Sequence, residues 1–257
     1  MWNEPAENLP HALLLLGDQI HSHRPPLDTL DFIRSHRDTD DPPGEAAANY
    51  EEYARLYQDS WGDPTIRWLL STVPSAMIFD DHEVGDDWNI SESWVEEMRQ
   101  KPWWDEQIIG ALASYWIYQH LGNLSPQELA KDDLFEKVKA ADDAGPLLLN
   151  FAYKMHRATA GTRWSFYRDF GNVRLMMVDS RGGQVLERGY RSMVGADEWD
   201  WIEEHSNRRL RPPPARDLGT VSARTRHALS ASLERGRLLG GLGEAGDEMG
   251  GEDPTLS

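Results

Sequence analysis

No cysteine occurs in the 257 residues. Disulfide staples and thiolate zinc sites are therefore excluded, and any metal must be held by oxygen and imidazole ligands. Basic side chains are scarce beside acidic ones, 26 Lys and Arg against 44 Asp and Glu, which leaves a net charge of −18. A surface of that sign repels nucleic-acid phosphates and anionic lipid headgroups, so neither nucleic acid nor a membrane is expected as a partner. Long apolar runs are missing as well. Leu13–Leu16 is far too short for a membrane span or a signal peptide, and residues 1–12 contain no Lys or Arg, so the chain as written carries no export address and is expected in the cytoplasm. Aromatic residues, finally, are absent after Trp201. A segment of Arg, Pro, Gly and Ala with no aromatic side chain buries too little apolar area to offset chain entropy, so residues 206–257 are expected to be a disordered tail behind a core at 1–205.

What is present is rich in apolar and aromatic side chains, 39% hydrophobic residues with eleven Trp, enough to fill a substantial core. Two short apolar runs end on polar clusters: Leu13-Leu14-Leu15-Leu16-Gly17-Asp18-Gln19-Ile20-His21-Ser22-His23 and Ala76-Met77-Ile78-Phe79-Asp80-Asp81-His82-Glu83. Each reads as a buried strand delivering carboxylates and imidazoles to one rim of a sheet. Between them, apolar spacing predicts helices over Leu27–Ile33, Glu45–Trp61 and from Pro64 to just before Pro74. After the second run, helices are expected over Ser91–Met98, Trp103–Leu121, Pro126–Ala140 and 146–158. The period then shortens: residues 163–170 alternate, Gly171-Asn172 turns, and Val173–Val178 runs apolar to Asp179, which predicts a hairpin. Asp197–His205 closes as a helix. The order of elements suits an α/β layer architecture.

The clusters admit more than one reading. Asp18 after Gly17 suits a carboxylate carried into a tight two-cation site, or equally a turn cap. His21 and His23 are metal-grade imidazoles, or ordinary surface histidines. Asp80-Asp81-His82-Glu83 piles like charge against a buried edge, which is costly unless a cation or hydrogen bonds compensate. Asp86 and Asp87 are candidates for supporting the histidine or for capping the next helix. Arg181 after Asp179 fits a bidentate phosphate clamp as well as it fits a turn ion pair.

Together, Leu-Leu-Gly-Asp-Gln-Ile at 15–20, Ile-Phe-Asp-Asp-His-Glu at 78–83 followed by Asp-Asp-Trp-Asn at 86–89, the Ser114–His120 helix and Val178-Asp179-Ser180-Arg181 resemble the PhoD-like branch of the metallophosphatases over roughly residues 10–205. The resemblance implies an α/β fold in which a two-sheet sandwich is flanked by helices, partial here and with a large helical insertion. It also implies a two-metal site and hydrolysis of phosphate mono- or diesters. Divalent or trivalent ions are implied, with Fe, Ca, Mn and Zn all compatible, and the implied partner is a small phosphate ester. Carried over by motif, Asp18 and Asp81 match metal ligands and His82 matches the histidine that contacts the phosphoryl or leaving oxygen. His21, His23 and Asp80 join the metal candidates and Arg181 the catalytic ones, with Asp80 and Glu83 read as more supporting than ligating.

The chain departs from the family pattern where His21 replaces a usual Tyr and His23 stands near a usual acid. It also lacks the family's strand upstream of Gly-Asp and its downstream Gly-Asp-x-His-His type motif, so it is expected to be incomplete at both ends. Suitable codons for Arg208–Pro214 and Ser232–Leu239, read one nucleotide later, spell Gly-Asp-Phe-Asp-His-Leu and Ala-Trp-Asn-Glu-Ala-Val-Cys, words of the family's missing part. The tail from about residue 206 is therefore expected to be an out-of-frame translation. A truncated, non-catalytic remnant with a residual cation half-site is the second functional reading, and a protein with solvated acidic loop ends the third.

Overall fold

The structure, a computed structural model, describes residues 8–157 and 164–206. These divide into two compact units: the first runs to Phe166 and includes Met177–Gly182, and the second comprises Tyr167–Met176 and the residues from Gly183. The expectations for a disordered or out-of-frame tail lie outside the described residues.

In the first unit, β1 (Leu13–Leu15) pairs in parallel with β2 (Ser75–Met77), Leu13 opposite Ser75 and Leu15 opposite Met77. A parallel pair needs a long crossover. Here it is supplied by α1 (Leu27–His36), α2 (Tyr50–Trp61) and α3 (Pro64–Thr72). The expectation of two buried strands is half corrected. Ala76 and Met77 of β2 are buried, as are Ile78 and Phe79 beyond it, but Leu14 of β1 is 44% exposed and Leu16 just after it 69%. The other edge of β2 is closed by a side chain: Asn123 accepts from the Met77 N–H at 3.0 Å and donates to the Met77 carbonyl at 2.8 Å, as a neighbouring strand would.

Helix α2 starts later than Glu45. The Asn49 side chain accepts from the Glu52 N–H at 3.0 Å, and the Glu52 carboxylate accepts from the Ala48 N–H at 2.7 Å and pairs with Arg37 at 2.8 Å. These bonds fix residues 44–48 as a loop and set the helix start at Tyr50. From there Tyr53, Leu56 and Tyr57 enter the core, 0–1% exposed. Helix α5 (Trp104–Tyr115) packs on α2. Its Gly110 permits the close approach, since a Cβ there would stand 2.8 Å from the backbone of Asn49 and Tyr50.

The expected helix Trp103–Leu121 does not continue regularly. A π-helical turn, Trp116–His120, links α5 to the short α6 (Leu121–Asn123), and it carries the buried Gln119. The expected helix Pro126–Ala140 is two: α7 (Pro126–Leu129), started by a Ser125/Glu128 capping box, and α8 (Asp133–Ala140), started by Asp132 accepting from the Phe135 N–H at 2.7 Å. Asp132 offers its backbone a cap in place of continued helix. Helix α4 (Glu92–Met98) is capped by Ser91, not by Asp86 or Asp87, and α9 (Gly145–Arg157) packs on α5.

The hairpin of β3 (Phe166–Phe170) and β4 (Val173–Met177) has its body in the second unit and turns at Gly171 with φ 62°. There Arg174 grips the Asp169 carboxylate with two bonds at 2.6 and 2.7 Å, lies 4.3 Å over the Tyr167 ring, and donates to the His205 carbonyl of α10 (Ala196–Ser206). The molecule is thus a mixed helix and strand fold. Among the described residues its sheets are both two-stranded, much smaller than a two-sheet sandwich leads one to expect.

Candidate metal and phosphate site

Both loops that follow the parallel strands meet at one rim, and a buried carboxylate joins them. Glu83, 1% exposed, accepts from the backbone N–H of Gln19 at 3.0 Å, of Asp80 at 3.2 Å and of Asp18 at 3.3 Å, and from the Gln119 amide at 3.2 Å. Burial pushes its carboxyl up to about 7, with these donors pulling the other way. Glu83 therefore braces both loops.

The backbone at the β1 end is equally constrained. Gly17 has φ 106° and Asp18 has φ 59°, both in the left-handed region where a Cβ is unfavourable. A Cβ on Gly17 would stand 2.5 Å from Cβ of Asp80. The Gly-Asp pair is thus dictated by the closeness of the two loops, and it leaves Asp18 facing the second cluster.

Three imidazoles stack at this rim. The His82 ring stacks on His21 at 4.5 Å and on His23 at 4.9 Å, and the His21 and His23 rings stand 5.8 Å apart, so the three form a triangle. The Nδ1 atoms of His23 and His82 are buried and have no partner among the described residues. Burial, the neighbouring His82 and Arg24 together lower the His23 pKa, which favours the neutral ring that binds metal. The Ser22 N–H donates to the His82 carbonyl at 3.0 Å, and Ser22 Oγ to the Val84 carbonyl at 2.6 Å, so the two histidine segments are tied together through backbone.

Donor atoms converge in three overlapping groups, each within 4.8 Å: His21, His23 and His82; Asp18, Asp81 and His82; Asp81, Asp86 and Asp87. His82 and Asp81 each belong to two of them. Asp81 is 8% exposed, and its carboxylate accepts from the Asp87 N–H at 3.0 Å and faces the Arg181 guanidinium at 3.3 Å. Asp86 stands 4.0 Å from His82 Nε2.

Asp80 and Arg181 pair with each other. The Asp80 carboxylate receives the Arg181 Nε–H at 2.8 Å and its own neighbour's N–H, that of Asp81, at 2.9 Å, and it stands outside the three groups. Arg181 reaches Asp80, Asp81 and, at 3.5 Å, the Trp88 carbonyl. Its loop is shaped by Asp179, 3% exposed, which accepts from the Arg181 and Gly182 N–H groups at 3.1 and 2.7 Å. Asp179 thereby positions Arg181 through its backbone. Asn89, in left-handed backbone at φ 61°, donates to the Arg181 carbonyl at 2.9 Å.

Residue reading passed over Gln19 and Gln119, whose amides bond to each other at 3.2 Å, while Gln19 also donates to the Ile78 carbonyl at 2.9 Å. Its place in the Gly-Asp-Gln motif at 17–19 is the signal for the first. The second sits on the π-helical turn, a feature no apolar spacing reveals.

The donor set fits a cation. Oxygens and imidazoles converge, two buried ring nitrogens lack partners among the described residues, and the glycine-lined approach of the two loops leaves Asp18 beside Asp81. Two clefts adjoin this rim. One of about 510 Å³ is bordered by His23 and Asp86, and one of about 460 Å³ by Gly17 and Asp18. Compared with known proteins, the chain matches the family model described as PhoD-like phosphatase over residues 1–208. No curated protein and no solved structure matches it.

Proposed function

This chain belongs to the PhoD-like phosphatase family, whose members are metal-dependent, and from that premise we propose that it hydrolyses small phosphate mono- or diesters at the rim formed by Asp18, Asp81 and the three histidines. The observation that carries the reading is His82, shared between the imidazole stack and the Asp18/Asp81 group. Asp18, Asp81, His21 and His23 would hold two cations. Bound there, the ions supply Lewis acidity toward the phosphoryl group and activate water.

The chain's own side chains do the rest. His82, with Asp86 4.0 Å from its Nε2, hydrogen-bonds the phosphoryl or leaving oxygen and steadies the alcohol as it departs. Arg181 holds positive charge beside Asp80 and Asp81, which keeps that cluster of carboxylates from repelling an anionic ester. Glu83 keeps Asp18 and Asp80 in place through their N–H groups. The acidic surface selects small esters over nucleic acid and membrane lipid.

Turnover of 4-nitrophenyl phosphate by the full chain supplied with Mn, Zn, Fe or Ca tests this. The expected outcome is turnover with at least one ion, reduced about a hundredfold or more by Asp81→Ala and by His82→Ala, with unchanged circular dichroism. Turnover that survives Asp81→Ala, or a folded protein idle with every ion, contradicts it.

A further inference from the structure

The cleft of about 510 Å³ beside His23 is walled by aromatic and apolar side chains. Trp94 and Trp104 meet edge to face at 5.4 Å, Trp103 and Trp104 at 6.1 Å, and Met98 and Pro43 complete the surface. Its volume is that of a small-molecule site. Trp104 is 3% exposed and fixed in the core, whereas Trp94 and Trp103 are only partly buried. This apolar wall is open to water and lies beside the candidate metal rim.

The position of the cleft names its occupant. His23 forms part of its wall, and the His23 ring stacks on His82 at 4.9 Å. One imidazole therefore separates the aromatic wall from the histidine that faces the leaving oxygen. Asp40 and Asp86 border the cleft, and their charge disfavours a leaving group that is itself anionic. The Trp104 indole N–H is buried without a partner among the described residues.

We infer that this cleft is a subsite for the leaving group of the ester, and that the leaving group is a neutral, flat aromatic alcohol. The inference rests on the phosphatase reading above. A ring stacked among Trp94, Trp103 and Trp104 gains both apolar burial and aromatic contact. The 460 Å³ cleft beside Asp18, lined mainly by Leu13, Leu15, Ile66, Leu69 and Leu70 with Trp61, offers a single aromatic ring and takes no part in this selection.

The test uses the full chain loaded with its activating cation and two non-hydrolysable probes, phenylphosphonate and methylphosphonate, measured by titration calorimetry. Phenylphosphonate is expected to bind about tenfold to a hundredfold more tightly. Trp103→Ala and Trp94→Ala each reduce that preference severalfold while leaving methylphosphonate affinity unchanged, and Trp61→Ala leaves the preference intact. Equal binding of the two probes overturns the inference, as does a preference that survives both cleft variants or falls with Trp61→Ala. Hydrolysis of glycerol 3-phosphate and 2-naphthyl phosphate is followed in parallel. Turnover of both esters without aromatic preference defeats the subsite alone, whereas absence of turnover with the calorimetric preference intact defeats the catalytic reading alone.

Discussion

Gly17 and Asp18 are where covalent geometry bears most directly on function. The φ of 106° and the 2.5 Å approach to Cβ of Asp80 predict that Gly17→Ala destabilises the protein by about 1–3 kcal/mol in urea melts. At Gly85 a Cβ meets nothing within 4 Å, so Gly85→Ala is the matched control and is expected to stay within about 0.5 kcal/mol of the parent. Single residues also set a pH dependence. Burial lowers the His120 pKa to about 4. A histidine held neutral in the fold contributes stability that is fully present above its unfolded pKa of about 6.5 and is lost as pH falls toward 4. Glu83, pushed up to about 7, acts in the opposite sense over an overlapping window, so the informative quantity is a difference. Between pH 7 and pH 5 the parent should lose about 2 kcal/mol more than His120→Phe, which retains a ring against Trp164. Equal losses would show that His120 titrates normally. At this scale the sequence was most legible: charge piled at the ends of two apolar runs singles out Asp18, Asp81 and His82, whose donor atoms the fold brings within 4.8 Å of one another. It left open which acids brace the two loops, because that depends on partners far along the chain, Gln119 for Glu83 and Arg181 for Asp80.

Elements were legible where apolar spacing ran long and poorly legible at their ends. The two strands, the hairpin and the bodies of the helices lie within the stretches the pattern marked, but three of those helical stretches start late or are interrupted. Local side-chain caps decided the rest: Asn49 and Glu52 delay α2, and Asp132 separates α7 from α8. Two features had no local signal. The π-helical turn at Trp116–His120 inserts extra backbone within a run that reads as continuous helix, and β2 is closed at one edge by the Asn123 side chain rather than by a strand. Asn123→Leu removes both bonds and leaves the Met77 N–H and carbonyl without those partners. The expected cost is about 2 kcal/mol or more, read from the urea midpoint. A change below about 0.5 kcal/mol would mean that another group takes over the edge.

For the molecule as a whole, an excess of negative charge opposes compaction, and a bound cation offsets it locally. Any ion that binds only the folded chain adds about 2.7 kcal/mol at a hundred times its dissociation constant. The melting temperature should therefore rise by several degrees with the activating ion, and Asp81→Asn should flatten that rise. The family membership was legible in the whole-chain order of motifs, from Gly-Asp through Asp-Asp-His-Glu to Asp-Ser-Arg. The aromatic cleft was not, since Trp94, Trp103 and His23 become neighbours only once α4 and α5 fold against the rim.

Titration of the activating cation into the metal-stripped full chain tests the central claim most directly. Two ions per chain are predicted for the parent, and Asp81→Asn should lose at least one of them. Identical stoichiometry and affinity in the two proteins, or no binding by a folded parent, would contradict the assignment of this rim as the metal centre.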